Sequence, residues 1–207
     1  MSDMDFLFEK AAVTRFSHDI AGAVGSVANG IALLAEDGGA DADLLKLAED
    51  NANILMGRLR FFRAAYGNDG PLASTETAER YVDDYLATLG NRGIVYACKH
   101  DADDGLPLFS FRLILLAVQI ATDAMPRGAE ITVSARAGTG MIRVGAVGKA
   151  VKVDADVVDV LNGKTPAAVS HKAVPAVLLK KILDDRGGRA EIESGVDSFA
   201  LVLTIKR

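Results

Sequence analysis

Among the three histidines in 207 residues, His18 has the most reactive setting. The N-terminal sequence predicts a long helix, and on its wheel His18 lies almost opposite the apolar stripe, so the ring points to solvent. A neutral imidazole is a competent nucleophile near neutral pH. Phosphorylated on nitrogen, it passes the group readily to a carboxylate, which suits a relay rather than a store. Asp19 is placed to accept a hydrogen bond from the ring and fix its tautomer, or to act as a general base. Arg15, one turn earlier, is placed among the partner-docking residues, where it could steady phosphate charge, although a lone arginine there is more often a surface charge.

Ala21, Gly22, Gly25, Ser26 and Asn29 share or flank the face of His18. Glycine inside a helix costs about 1 kcal/mol relative to alanine, and two glycines on an exposed face add nothing to a core. Backbone left bare beside a nucleophile predicts a docking shelf on which a partner's helix can lie close. A single helical histidine is more often a plain solvated residue, and the shelf is what separates His18 from that reading. His100 is predicted to end a strand just before the solvated acidic loop Asp101-Ala-Asp-Asp104. His171 reads as a residue near a helix N-terminus without special chemistry, and Cys98 as a small buried hydrophobe. No metal or cofactor is expected on the chain itself.

The elements that must position these residues follow from periodicity. Val13, Phe16, Ile20, Val24, Val27, Ile31 and Leu34 recur at three- and four-residue steps, predicting a helix from about Asp3 to Leu34. A turn at Glu36-Asp37-Gly38-Gly39 leads to a second helix over Ala42 to Tyr66. Asn68-Asp69-Gly70-Pro71 is the clearest linker. Beyond it, helices are predicted over Thr75–Leu89, Phe109–Met125, Ala155–Leu161 and Val174–Asp185. Strands are predicted over Ile94–Cys98, Ile131–Ala135 and Met141–Val147, with a closing hairpin of Ala190–Ser194 and Phe199–Ile205. The class is α+β in two domains: residues 1–67 as a helical hairpin for dimerisation and residues 75–207 as an α/β sandwich. Two amphipathic helices cannot bury both stripes alone, so the hairpin is expected to pair with a second copy as a homodimeric four-helix bundle.

Composition narrows the function. A net charge of −5 argues against a nucleic-acid partner, because phosphate backbones need clustered Lys and Arg. One cysteine rules out an internal disulfide and fits a reducing compartment. The N-terminus lacks the basic and small-residue features of a secretory signal, and no uninterrupted apolar run reaches the roughly 18–20 residues that span a bilayer. A cytoplasmic protein without membrane contact is expected.

Phe16-Ser-His18-Asp19-Ile20, followed by small residues to Asn29-Gly30, resembles the phosphoacceptor helix of histidine kinase dimerisation domains. Together with Leu33-Leu34 and Phe62-Arg-Ala-Ala-Tyr-Gly67, it looks like the ChpT-type histidine phosphotransferases of alphaproteobacterial phosphorelays. The resemblance implies a dimeric helical hairpin joined to a domain resembling the histidine kinase ATPase domain but without nucleotide binding. It also implies that His18 takes phosphate from the receiver of a hybrid histidine kinase and passes it to a response regulator. The only ion implied is Mg²⁺, carried by the partner receiver.

Aligned on that family resemblance, the usual Asn ligand for Mg²⁺ falls on Ile120, which cannot coordinate a hard cation. The adenine-binding Asp falls on Ala146, and the lid glycines fall on Ala173 and Pro175, the latter without an N–H to offer a phosphate. A kept framework with a lost ATP site leaves relay as the coherent use of His18. Gly145 and Gly148 are read as turn or packing positions. The competing reading is a non-catalytic dimeric adaptor that binds and occludes a response regulator; an authentic kinase with a divergent pocket is the least favoured.

Overall fold

The computed structural model describes residues 3–36, 41–67, 74–90, 94–164 and 168–205; the predicted turn at 37–39 and the linker at 68–71 lie outside them. The fold is α+β. Two long helices, α1 (Asp3–Glu36) and α2 (Ala42–Tyr66), form an antiparallel hairpin. The N-cap of α2 is Asp41, whose carboxylate accepts hydrogen bonds from the Asp43 and Leu44 amides. Helix α3 (Thr75–Ala87) is capped in the same way by Ser74, which accepts from Thr77.

The remaining elements run β1 (Tyr96–Ala102), α4 (Leu108–Ala124), β2 (Ala129–Arg136), β3 (Met141–Gly148), α5 (Ala155–Leu161), a 3₁₀ turn at His171–Ala173, α6 (Val174–Asp185), β4 (Arg189–Ser194) and β5 (Ser198–Thr204). The strands form one sheet in the order β1-β2-β3-β5-β4. Only β1 and β2 are parallel, as α4 between them requires; the other pairs are antiparallel. Alternation puts Ile131, Val133 and Leu203 under the helices, while Glu130 and Thr132 face water.

Helix α4 is the centre of the core. Leu113, Leu115 and Leu116 are fully buried with Ile131, Leu201 and Leu203 of the sheet and Leu179 and Leu183 of α6, each such side chain contributing roughly 1.5–3 kcal/mol of transfer free energy. The same core continues into the last turns of α2 through Phe61, Phe62, Ala64 and Ala65. The end of the hairpin is thereby clamped onto the helical layer.

Two expectations need correction. Strand β1 begins later than Ile94 and runs to Ala102, so His100 and Asp101 pair with Val133 and Ser134 inside the sheet rather than bordering a loop. The apolar alternation stops at Cys98, but an edge strand goes on pairing with polar residues on its outer face. Second, α1 is long and apolar enough over Phe6–Glu36 to cross a membrane by length and composition, although no uninterrupted apolar run suggested it. Its buried Arg15, ion-paired to α4, is the mark of a helix packed against protein.

Candidate functional site

His18 sits just over half a turn beyond Phe16, at the point where α1 leaves the helical layer. Beyond that point α1 is buried only at Ala23 and Gly30; before it, Phe16 is wedged against Phe62 and Tyr66 of α2, with ring centroids 5.3 and 5.0 Å apart. Tyr66 in turn donates its hydroxyl proton to Gln119 of α4 at 2.5 Å. This apolar wedge fixes the rotation of α1 about its axis. The His18 ring therefore points outward, with 73% of the side chain exposed.

The imidazole is oriented by its neighbour. His18 Nδ1 lies 3.1 Å from Asp19 Oδ1, and the other carboxylate oxygen of Asp19 accepts a hydrogen bond from Arg15 Nε at 2.6 Å. Arg15 then reaches Asp123 of α4 through both terminal nitrogens, at 2.6 and 3.2 Å. The chain His18–Asp19–Arg15–Asp123 links an exposed ring to a charge network at the boundary between the hairpin and the helical layer. Burial opposes the Arg15 charge, but the carboxylates of Asp123 and Asp19 more than offset it and hold the guanidinium above its ordinary pKa. For Asp123, burial wins over the pull of Arg15 and the carboxyl is raised above its ordinary value. Arg15, expected at a docking surface, is thus only 3% exposed and engaged within the chain. It lies on the His18 side of the wheel but is turned far enough towards α4 to be covered.

Other residues complete the setting without any signal in the local sequence. Arg58 of α2 donates to the backbone carbonyls of Asp19 at 2.6 Å and Thr88 at 3.1 Å, while its Nε is buried without a partner among the described residues. His171, in the 3₁₀ turn before α6, places its ring 5.6 Å from that of His18 at an interplanar angle of 30°. Lys172 beside it pairs with Asp154 at 3.2 Å. His18, Asp19, Arg15, Arg58, Asp123 and Lys172 contribute to the walls of an open cleft of about 320 Å³. The cationic side chains lining this cleft are Arg15, Arg58 and Lys172.

The shelf residues are where helical geometry puts them. Ala21, Gly22, Gly25, Ser26 and Asn29 are all exposed. A Cβ built on Gly22 or Gly25 would meet nothing within 4 Å, so no contact among the described residues requires glycine at either place. Ser26 spends its hydroxyl proton on the Gly22 carbonyl at 3.0 Å. Gly148 differs: a Cβ there would collide with the Gly128 carbonyl oxygen, which gives this glycine a packing role. Ile120 is 2% and Ala146 is 2% exposed, and both belong to the core.

Comparison with known proteins adds the following. The histidine phosphotransferase C-terminal domain family matches residues 75–198. The protein phosphotransferase ChpT of Brucella abortus (strain 2308) is 32% identical over 123 residues, which are 58% of this chain and 56% of that one. The match therefore spans only about half of that relative. A solved bacterial phosphotransferase superposes with a TM-score of 0.79 at 22% identity, over 98% of this chain and 97% of that one. A blue-light activated histidine kinase of Erythrobacter litoralis aligns at a TM-score of 0.46 and 14% identity, over 99% and 60% of the two chains.

Proposed function

Since the chain belongs to the histidine phosphotransferase family, we propose that His18 is its phosphoacceptor and relays a phosphoryl group between receiver-domain aspartates. The observation that carries this reading is an outward imidazole whose Nδ1 faces the Asp19 carboxylate at 3.1 Å. A carboxylate only accepts, so Nδ1 carries the ring proton and Nε2 presents its lone pair to the cleft mouth.

The step is an in-line displacement. Nε2 forms an N–P bond as the acyl phosphate P–O bond of the donor's aspartate breaks, and a carboxylate leaves; delivery to the second receiver reverses it. Asp19 orients the ring and supports the positive charge that develops on it. Mg²⁺ held by the partner receiver would neutralise most of the phosphoryl charge, so this chain's task is positioning. The partners are the receivers of a hybrid histidine kinase and of response regulators, one of whose helices lies on Ala21, Gly22, Gly25, Ser26 and Asn29.

A second copy is the proposed cover for the other face of the hairpin. Phe6, Val13, Val24 and Ile31 of α1 and Leu45 and Met56 of α2 are each at least 46% exposed, a large cost in water unless another apolar surface meets them. A homodimeric four-helix bundle satisfies it. The C-terminal domain does no nucleotide chemistry in this reading, because the positions that would hold adenine and metal are core residues or packing glycines. The cytoplasm is the compartment in which such partners meet it.

The deciding experiment is a transfer assay with purified, radiolabelled phospho-receiver. Label is expected on the wild type and none on His18→Ala. Absence of label on both would favour an adaptor that occludes its regulator, and calorimetric binding of Mg-ATP would restore a kinase.

A further inference from the structure

Outside the His18 cleft, one cluster combines three different ligating groups. Asp83 lies on α3, and Cys98 and His100 lie two apart on β1, so both strand residues project to the face that α3 covers. His100 Nε2 is 2.9 Å from Asp83 Oδ1, Cys98 Sγ is 3.9 Å from His100 Nδ1, and the donor atoms of all three fall within 4.8 Å of one another. Among the described residues this is the one grouping of three or more His, Cys, Asp or Glu side chains close enough to share an ion. None of the three lines the His18 cleft.

We propose that Asp83, Cys98 and His100 form a binding site for a thiophilic divalent cation, Zn²⁺ in the first instance. Zinc takes sulfur at about 2.3 Å and nitrogen or oxygen at about 2.0–2.2 Å in a tetrahedron, which puts ligand atoms roughly 3.3–3.8 Å apart. The cluster is therefore close to bound dimensions. The sulfur and the carboxylate face different nitrogens of the ring, so binding would require the imidazole to turn about its Cβ–Cγ bond until one nitrogen meets the ion. One thiolate, one imidazole and one carboxylate suit zinc, whereas Mg²⁺ and Ca²⁺ demand a shell of oxygens. A thiolate with a carboxylate balances the charge of the ion.

Access and rigidity also fit. The Asp83 side chain is 56% exposed and opens the site to solvent, while that of His100 is 16% exposed and paired with Asp83. A fourth ligand position is left to water. Bound there, the ion would tie α3 to an edge strand that has a hydrogen-bonding neighbour on one side only. The consequence is structural: a cross-link between α3 and β1 built from residues that do not line the His18 cleft.

The test uses the full chain, stripped with chelator, and titrated with Co²⁺ alone and then with Zn²⁺. One equivalent of Co²⁺ is expected to produce tetrahedral visible bands and a near-ultraviolet thiolate-to-cobalt band, both bleached by Zn²⁺. Cys98→Ser should abolish the ultraviolet band. Asp83→Asn, at an exposed position, should weaken Zn²⁺ binding at least about tenfold, a loss that even outer-shell partners can cause. His18→Ala should bind as the wild type does, which excludes a site built on the His18–His171 ring pair. An octahedral spectrum without the sulfur band, or equal affinity in Cys98→Ser or Asp83→Asn, overturns the proposal.

Discussion

The upper and lower halves of α1 belong to one helix but live in opposite surroundings. From Ala11 to Asp19 it is held by the Arg15–Asp123 ion pair and the Phe16 aromatic wedge, with Ala11 and Arg15 buried. From Ala21 to Ile31 only Ala23 and Gly30 are buried, Gly30 against Ala48 of α2, and the rest is open or partly open. His18 stands at the boundary. A relay residue needs both conditions: a frame rigid enough to aim a nitrogen, and free surface beside it for a partner. The contrast shows how a single helix supplies them, by being packed at one end and stripped at the other.

The largest effect that can break this contrast is loss of the acceptor itself. His18→Ala is expected to abolish phosphoryl incorporation from a phospho-receiver, with helical circular dichroism and oligomeric state unchanged. Next comes the rigid half. Asp123→Ala leaves Arg15 buried with one of its two carboxylates gone and should cost about 3 kcal/mol in urea unfolding, the lower end for a broken buried pair because Asp19 remains. A loss near zero would mean that the wedge alone holds the helix. In the bare half, Gly22→Leu should slow transfer by at least tenfold in kcat/KM while raising stability by up to about 1 kcal/mol through helix propensity. Higher stability with unchanged transfer would remove the shelf from the account.

The smallest effects are in pH dependence, where two aspartates should differ in sign. Arg136 and Ser134 donate hydrogen bonds to Asp101 and hold its carboxyl below the usual value of 3.8. Its contribution is therefore present above pH 3.8 and lost as the pH falls through the lower folded value. Asp123 is raised by burial, so its titration favours the fold below 3.8, and that contribution is lost as the pH rises through the folded value. Unfolding measured in steps of pH should show Asp101→Asn flattening the acid limb and Asp123→Asn tilting it the other way. Matching slopes would show that the Arg15 network does not desolvate Asp123.

Local pattern was enough for most elements and for the direction of His18. Apolar spacing located α1, α2, α4 and α6, and Asp41 and Ser74 cap helices where hydroxyl and carboxylate side chains should. It was not enough for Arg15, whose partner Asp123 is 108 residues away. A lone acid near the end of the otherwise apolar α4 was the available hint. His171 and Arg58 carried no hint, because each owes its place to a fold-level approach of distant segments. The end of β1 was misjudged for a similar reason: pairing with β2, not its own apolar alternation, carries that strand to Ala102.

The chain alone thus determined what is periodic or adjacent: the helical stripe, an imidazole opposite it, an acid next to that imidazole, and glycines one and two turns on. These follow from the fixed rise and rotation of a helix, which no distant residue alters. Tertiary structure decided which charges are buried, which ring stands beside His18, and which faces stay open. Those depend on how far apart in sequence the meeting residues are, and no local rule encodes that distance.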